Sequence, residues 1–190
     1  MNRLGVKSGL FILFIGLFLC SSCTNDDLKN AQSISSKKIT LTKDRTLGAD
    51  VIYSDSGFVK AKGFAPILDK VVPATGASYS EMPKGVKIEF FDQFLRVTGT
   101  ITSDYAINKE TEGITIFRKN VVVVNDAITF RTEELTWDEA KKMYFSPAGV
   151  VTKKDGSILN GTSFSAPQDF STYDITVASG STYVKGDLAQ

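Results

Sequence analysis

Apolar and polar residues change places every second position through most of the chain beyond Ile39, the period of half-buried β-strands. Residues 51–53 are apolar, a turn signal follows over residues 55–57, and Val59, Ala61, Gly63 and Ala65 then alternate with Phe58, Lys60, Lys62 and Phe64. Residues 67–83 are broken by Pro and Gly and predict either a long connection or a crossing between two sheets. Beyond them Val86, Ile88 and Phe90 alternate with Lys87, Glu89 and Phe91, and Leu95, Val97, Gly99 and Ile101 alternate with Arg96, Thr98, Thr100 and Thr102. The segment "NKETEG" supplies a turn. Residues 114–117 and 121–124 are rich in β-branched side chains, including Ile116, and the "RKN" between them suits a bulge or bend in one long strand.

One stretch carries both periods. In "ITFRTEELTWDEAKKMYFSPAGVV" the middle is made of helix formers, with Leu135, Trp137, Ala140 and Met143 nearly at helical spacing, while the flanks alternate like strands. A helix there would contain Thr132 and Thr136, meet no glycine or proline stop until Pro147, and interrupt a continuous β pattern. The strand reading puts Ile128, Phe130 and Thr132 on one face and Leu135 and Trp137 on a face after a one-residue slip. That slip predicts a bulge at Glu133 and Glu134, with "DEAKK" as the turn into residues 143–145. Agreement between neighbouring segments favours the hairpin.

The remainder repeats the theme. Asp155-Gly156 ahead of "SILNGTSFSA" is a hairpin signal, and strict alternation sets Ile158, Asn160, Thr162, Phe164 and Ala166 on one face. "PQDFSTYD" turns the chain again, and residues 175–177, beginning with Ile175, and 182–184 predict the last strands. Laying "DAITFRTEELTWDEAKKMYF" over "DGSILNGTSFSAPQDFSTYDI" pairs Ile128 with Ile158 and Leu135 roughly with Phe164, a degenerate repeat of stacked strand units. The fold class is all-β.

The first 22 residues have a different character. Arg3 and Lys7 precede an apolar run from Leu10 to Leu19, the length of a signal-peptide core and short of the roughly 20 residues that span a bilayer. Ser21 and Ser22 give Cys23 the small neighbours that a lipoprotein acylation site requires, although Cys20 stands where Leu, Val or Ile is usual. The expectation is a lipoprotein signal peptide over residues 1–22, lipidation at Cys23, a polar tether over residues 23–38 and a folded domain over residues 39–190. An uncleaved transmembrane anchor over residues 6–20 is the alternative. Cleavage before Cys23 would leave 190 − 22 = 168 residues with one cysteine, already acylated, so stability would rest on an apolar core and not on a disulfide.

Composition removes several functions. The formal net charge of +1 leaves no electrostatic footprint for nucleic acid. With no histidine the chain lacks Ser-His-Asp and Cys-His catalysis and imidazole-ligated zinc. Glu133-Glu134 and Asp138-Glu139 are adjacent carboxylates, which on a strand point to opposite faces and in a turn are solvated. Asp155 with Asn160 offers one carboxylate, too few for a tight calcium site. No catalytic residue, metal ligand or cofactor is therefore expected.

Six segments in order, "YSDSGFVKAKGFAPIL", "YSEMPKGVKIEFFD", "TITSDYAI", "GITIFRKNVVVVN", "ITFRTEELTWD" and "DGSILNGTSFSAPQDFSTYDI", resemble the LptC family over residues 53–180. LptC is the membrane-anchored periplasmic component of the lipopolysaccharide export machinery and is related to LptA and OstA-like domains. The resemblance implies an open, twisted β-jelly roll whose sheets splay around an apolar groove. Lipopolysaccharide acyl chains would pass through it from the inner-membrane ABC transporter to an LptA-like bridge protein added at a sheet edge. The chain departs from the enterobacterial form by carrying Cys23 in place of a transmembrane helix. The anchor is expected at the periplasmic side of the inner membrane, with Asp26 and Asp27 leaving sorting to the outer membrane open.

On this reading the inward apolar residues are Val59, Ala61, Ile88, Phe90, Val97, Ile101, Ile116, Phe130, Leu135, Trp137, Ile158, Phe164 and Ile175, whether they touch lipid or only one another. Residues 41–53 and 175–184 would offer the free sheet edges. The competing class is a structural or adhesive outer-membrane β-lipoprotein with a filled core. A fluorescent acyl probe separates the two, because only an open groove binds it.

Overall fold

The computed structural model describes residues 41–182; the signal segment, Cys23, the tether and the end of the chain lie outside the described residues. Twelve antiparallel strands make up one sheet: β1 (Leu41–Asp55), β2 (Phe58–Pro73), β3 (Tyr79–Met82), β4 (Val86–Phe91), β5 (Val97–Ser103), β6 (Tyr105–Lys109), β7 (Ile114–Asn125), β8 (Ile128–Asp138), β9 (Met143–Ser146), β10 (Gly149–Lys153), β11 (Ile158–Pro167) and β12 (Asp174–Ser181). A single turn of 3-10 helix, Glu110–Glu112, separates β6 from β7. The fold is all-β and jelly-roll-like, as the alternation and the resemblance both implied.

The short strands pair with only part of the long ones, and this divides the sheet. Ala61 to Phe64 of β2 pair with β4, whereas Asp69 to Val71 pair with β3. The start of β7 pairs with β6 and its end with β5. Both β8 and β11 give their first halves to β10 and their second halves to β9. The long strands thus run through two half-sheets, one completed by β4, β5 and β10, the other by β3, β6 and β9. The two halves face each other. Phe130 of the first half stacks on Phe164 of the second, ring centroids 3.8 Å apart and planes 13° from parallel. Around that pair the side chains of Ile101, Leu135, Val123 and Val151 have essentially no exposed surface.

A strand that turns from one half-sheet to the other must keep apolar residues inward on both sides of the corner, so its alternation changes phase there. In β2 both Ala65 and Leu68 face the interior, three positions apart, with Pro66 between them lying across from Gly48, whose φ of +63° suits glycine. In the β7–β8 pair the register shifts between Arg118 and Val121, where Lys119 and Asn120 both take positive φ, and Glu133 is the slipped residue opposite. This is the bulge that the "RKN" and "TEEL" segments predicted. The hydroxyls of Thr132 and Ser146 lie 2.8 Å apart at this corner, among the carbonyls of Glu134 and Ala148 that the bend frees from the ladder.

The ambiguous stretch is a hairpin: β8 runs to Asp138, residues 139–142 turn, and Trp137 pairs with Tyr144. Residues 67–83, read as either a connection or a crossing, are a crossing, because β2 continues unbroken to Pro73 before β3 begins. Ser56-Gly57, with φ of +52° and +81°, makes the β1–β2 turn, and Gly156, with φ of +86°, turns the β10–β11 hairpin. The strand placed at residues 175–177 is part of a longer one, β12, which runs to Ser181, and the strand expected over residues 182–184 reaches beyond the described residues.

Candidate functional site

Near β1 the half-sheets do not close on each other, and a cavity of about 360 Å³ remains between them, within the range of small-molecule sites. The first half-sheet contributes Val51, Tyr53, Ala61, Gly63, Val86, Ile88 and Phe90. The second contributes Leu68, Met82, Phe117, Trp137 and Tyr144. Ala61, Gly63 and Ala65 are small where the cavity passes over β2, so the missing side-chain volume is itself what leaves room. The wall is mostly apolar and aromatic, with Trp137 and Tyr144 rings 4.7 Å apart. Burial pushes the Tyr144 phenol well above its ordinary pKa, so it stays neutral.

Ser80, Asn108, Glu110, Thr115, Glu139 and Gln168 are the polar residues of the lining, two of them acidic. The Ser80 hydroxyl donates to Glu110 at 3.4 Å, Asn108 Nδ2 donates to Thr115 at 2.7 Å, and the Lys70 ammonium lies 3.7 Å from Glu110. Across the mouth Lys142 Nζ, on the β8–β9 turn, donates to the Tyr53 hydroxyl at 3.0 Å and lies 5.7 Å from the centre of its ring. That hydrogen bond raises the Lys142 pKa, keeping the bridging group charged. A mostly apolar lining with a few polar side chains suits an amphiphile.

Beyond the cavity the space between the half-sheets is filled with rings. Phe170, from the β11–β12 loop, stacks on Tyr144 at 4.7 Å and meets Phe90 edge-on at 6.2 Å, and Tyr173 stacks on Phe164 at 5.9 Å. The space is open at the β1 end and packed toward the β12 end.

The residues expected to face inward therefore divide. Ala61, Ile88, Phe90 and Trp137 line the cavity. Ile101, Phe130, Leu135 and Phe164 are buried in the packed part, and Ile175 is half-buried against it. The other four are corrected by the structure. Val97 is 54% exposed because the register shift beside Phe91 pairs it with that residue on the outer face, although Ile101 of the same strand is buried. Val59, past the register shift between Tyr53 and Ser54, is half-buried but belongs neither to the cavity lining nor to the core cluster. Ile158 is 39% exposed, since β11 slips between Gly161 and Ser163 and its inward residue at that end is Leu159. Ile116 pairs with Ile107 and Thr136 on the outside, and its neighbour Phe117 points in. Tyr53, Leu68, Met82, Tyr144 and Phe170 were not anticipated; Leu68 lies past a corner and Phe170 in a loop, where alternation carries no information.

Outside the cavity, one charged cluster holds the first strand. Arg45 makes a two-pronged contact with Asp69, 2.7 and 2.8 Å, and Lys43 reaches the same carboxylate at 2.8 Å and Glu81 at 3.6 Å. Asp69 has no exposed surface while both cations are partly exposed, so the pair lies just below the surface. The Arg45 hydrogen bonds, with those of Lys43, hold the Asp69 carboxyl well below the usual carboxylate range. At its two ends the sheet is open: among the described strands β1 pairs with β2 alone and β12 with β11 alone.

No protein-family model matches the chain, and no curated protein matches it.

Proposed function

We propose that the chain binds acyl chains of lipopolysaccharide in this cavity, as a membrane-anchored periplasmic component of lipopolysaccharide export. The observation that carries the reading is the cavity between two splayed half-sheets, whose lining is mostly apolar and aromatic. Each methylene taken out of water there contributes about 0.8 kcal/mol, so a single acyl chain supplies useful affinity without any ionic contact. The resemblance of residues 53–180 to the LptC family supplies the substrate and its delivery by an inner-membrane ABC transporter, and Cys23, which follows Ser21 and Ser22, supplies lipidation as the means of staying at the membrane.

The free edges support the second half of this role. Strand β12 carries no charged residue after Asp174, whereas β1 carries Lys43, Asp44, Arg45 and Asp50 along its length. Charged side chains guard an edge against pairing, so β12 is the edge offered to an LptA-like bridge protein.

A second reading has its own support. The rings of Phe130, Phe164, Tyr173, Tyr144 and Phe170 fill the far part of the interior, as in a structural or adhesive outer-membrane β-lipoprotein. Photo-crosslinking separates the two. A crosslinker at Ile88 or Phe90 should capture lipopolysaccharide when the transporter is supplied with ATP, and one at Glu89, on the outer face, should not. Equal labelling at the three positions, or labelling indifferent to ATP, would leave the structural reading.

A further inference from the structure

We propose that Phe170 is the ruler of the cavity: it closes the inner end and so sets the length of the straight acyl chain that can be taken up, a statement that rests on the acyl-binding reading above. Phe90 and Tyr144 form part of the cavity wall, and the ring of Phe170 lies directly behind both, stacked on one and edge-on to the other. Phe170 itself does not line the cavity. Its loop does reach it, because Gln168, two residues earlier, is part of the lining.

The backbone shows that this ring is held in place against a local preference. Phe170 has φ of +51°, in the left-handed region that a bulky side chain rarely adopts. Two hydrogen bonds impose it. The Phe170 amide donates to the Pro167 carbonyl at 3.0 Å, and the Phe170 carbonyl accepts from Asn125 Nδ2 at 3.1 Å. The Asn125 side chain is fixed in turn, since its oxygen accepts from the amides of Ala127 and Ile128, both at 2.8 Å. The β7–β8 turn thus reaches across to the β11–β12 loop and holds there a ring that is 4% exposed. Glycine would meet the backbone requirement without strain; phenylalanine adds only the ring, which backs Phe90 and Tyr144 in the cavity wall.

The test is a titration of the full chain with straight-chain alkanols from hexanol to dodecanol, read by fluorescence of Trp137, which lines the cavity and is the one tryptophan of the chain. Affinity should rise about fourfold per added methylene until the chain reaches the wall, then level off. In Phe170→Leu and in Phe170→Gly, where the left-handed backbone is retained without strain, the rise should continue to longer alkanols. Phe164→Leu is the control for a merely structural role: that ring is as buried but stacks on Phe130, so its loss should lower stability and leave the levelling-off point unmoved. An unchanged levelling-off point in both Phe170 variants, or an equal shift in Phe164→Leu, overturns the ruler while the acyl site stands. Absence of saturable binding at every chain length, in every variant, overturns the acyl site and the ruler with it.

Discussion

Gly149 and Phe130 should be coupled, and the coupling can be measured. A Cβ added to Gly149 would fall inside van der Waals contact of the Phe130 ring and 2.8 Å from the Arg131 carbonyl oxygen. The ring cannot withdraw, because it has no exposed surface and is stacked at 3.8 Å on Phe164. Gly149 is outside the left-handed region, so the backbone accepts alanine and the penalty is packing alone. Overpacking of this kind costs about 1–3 kcal/mol, offset by about 0.4–1 kcal/mol from the reduced freedom of the unfolded chain. Gly149→Ala should then lose about 1–2 kcal/mol. Phe130→Leu should lose a similar amount, through the ring stack and the space left behind. In the double variant the new methyl occupies part of that space, so the sum should fall short of additivity by about 1 kcal/mol; the Arg131 carbonyl, being backbone, keeps the remainder of the clash. Equilibrium urea unfolding, followed by Trp137 fluorescence, gives all four stabilities. Additivity within about 0.3 kcal/mol, or a neutral Gly149→Ala, would show that ring and glycine do not hold each other as described.

Acid should act through Asp69. Its folded pKa is depressed, so its contribution is present above the unfolded value of about 4 and is lost as pH falls from there through the folded value. Asp69→Asn should therefore be less stable than the parent at neutral pH and show a shallower loss in that acid window, measured as urea midpoints against pH; parallel curves would refute the assignment. Gly48→Ala should cost about 1 kcal/mol through its φ of +63° alone, since a Cβ there meets no atom within 4 Å, and Gly48→Asn should cost less; thermal melts of both decide it. Lys142→Met, which removes the bridge to Tyr53, should speed both entry and release of a cavity probe in stopped-flow fluorescence, whereas unchanged rates would mean that the bridge does not restrict the mouth.

What the sequence determined by itself is local and periodic. The strands, the turns at Ser56-Gly57 and Asp155-Gly156, the hairpin around residues 139–142 and the bulge opposite Lys119 and Asn120 all follow from side-chain alternation and from residues suited to positive φ. Alternation also put Ala61, Ile88, Phe90 and Trp137 on the inner face, and these four line the cavity. It went wrong where a strand changes phase against its partner, at Val59, Val97 and Ile158, and in choosing Ile116 over Phe117. A period of two carries no absolute phase; each slip is chosen by the strand alongside, and that strand is distant in sequence. The tertiary structure alone decided that the long strands bend between two half-sheets, so that Leu68, Met82 and Tyr144 meet residues of the opposite half across an opening. It also decided what stands behind that opening. Phe170 lies in a loop with no periodicity to read, and only the fold packs it against Phe90 and Tyr144 of the wall, with Asn125 holding its carbonyl.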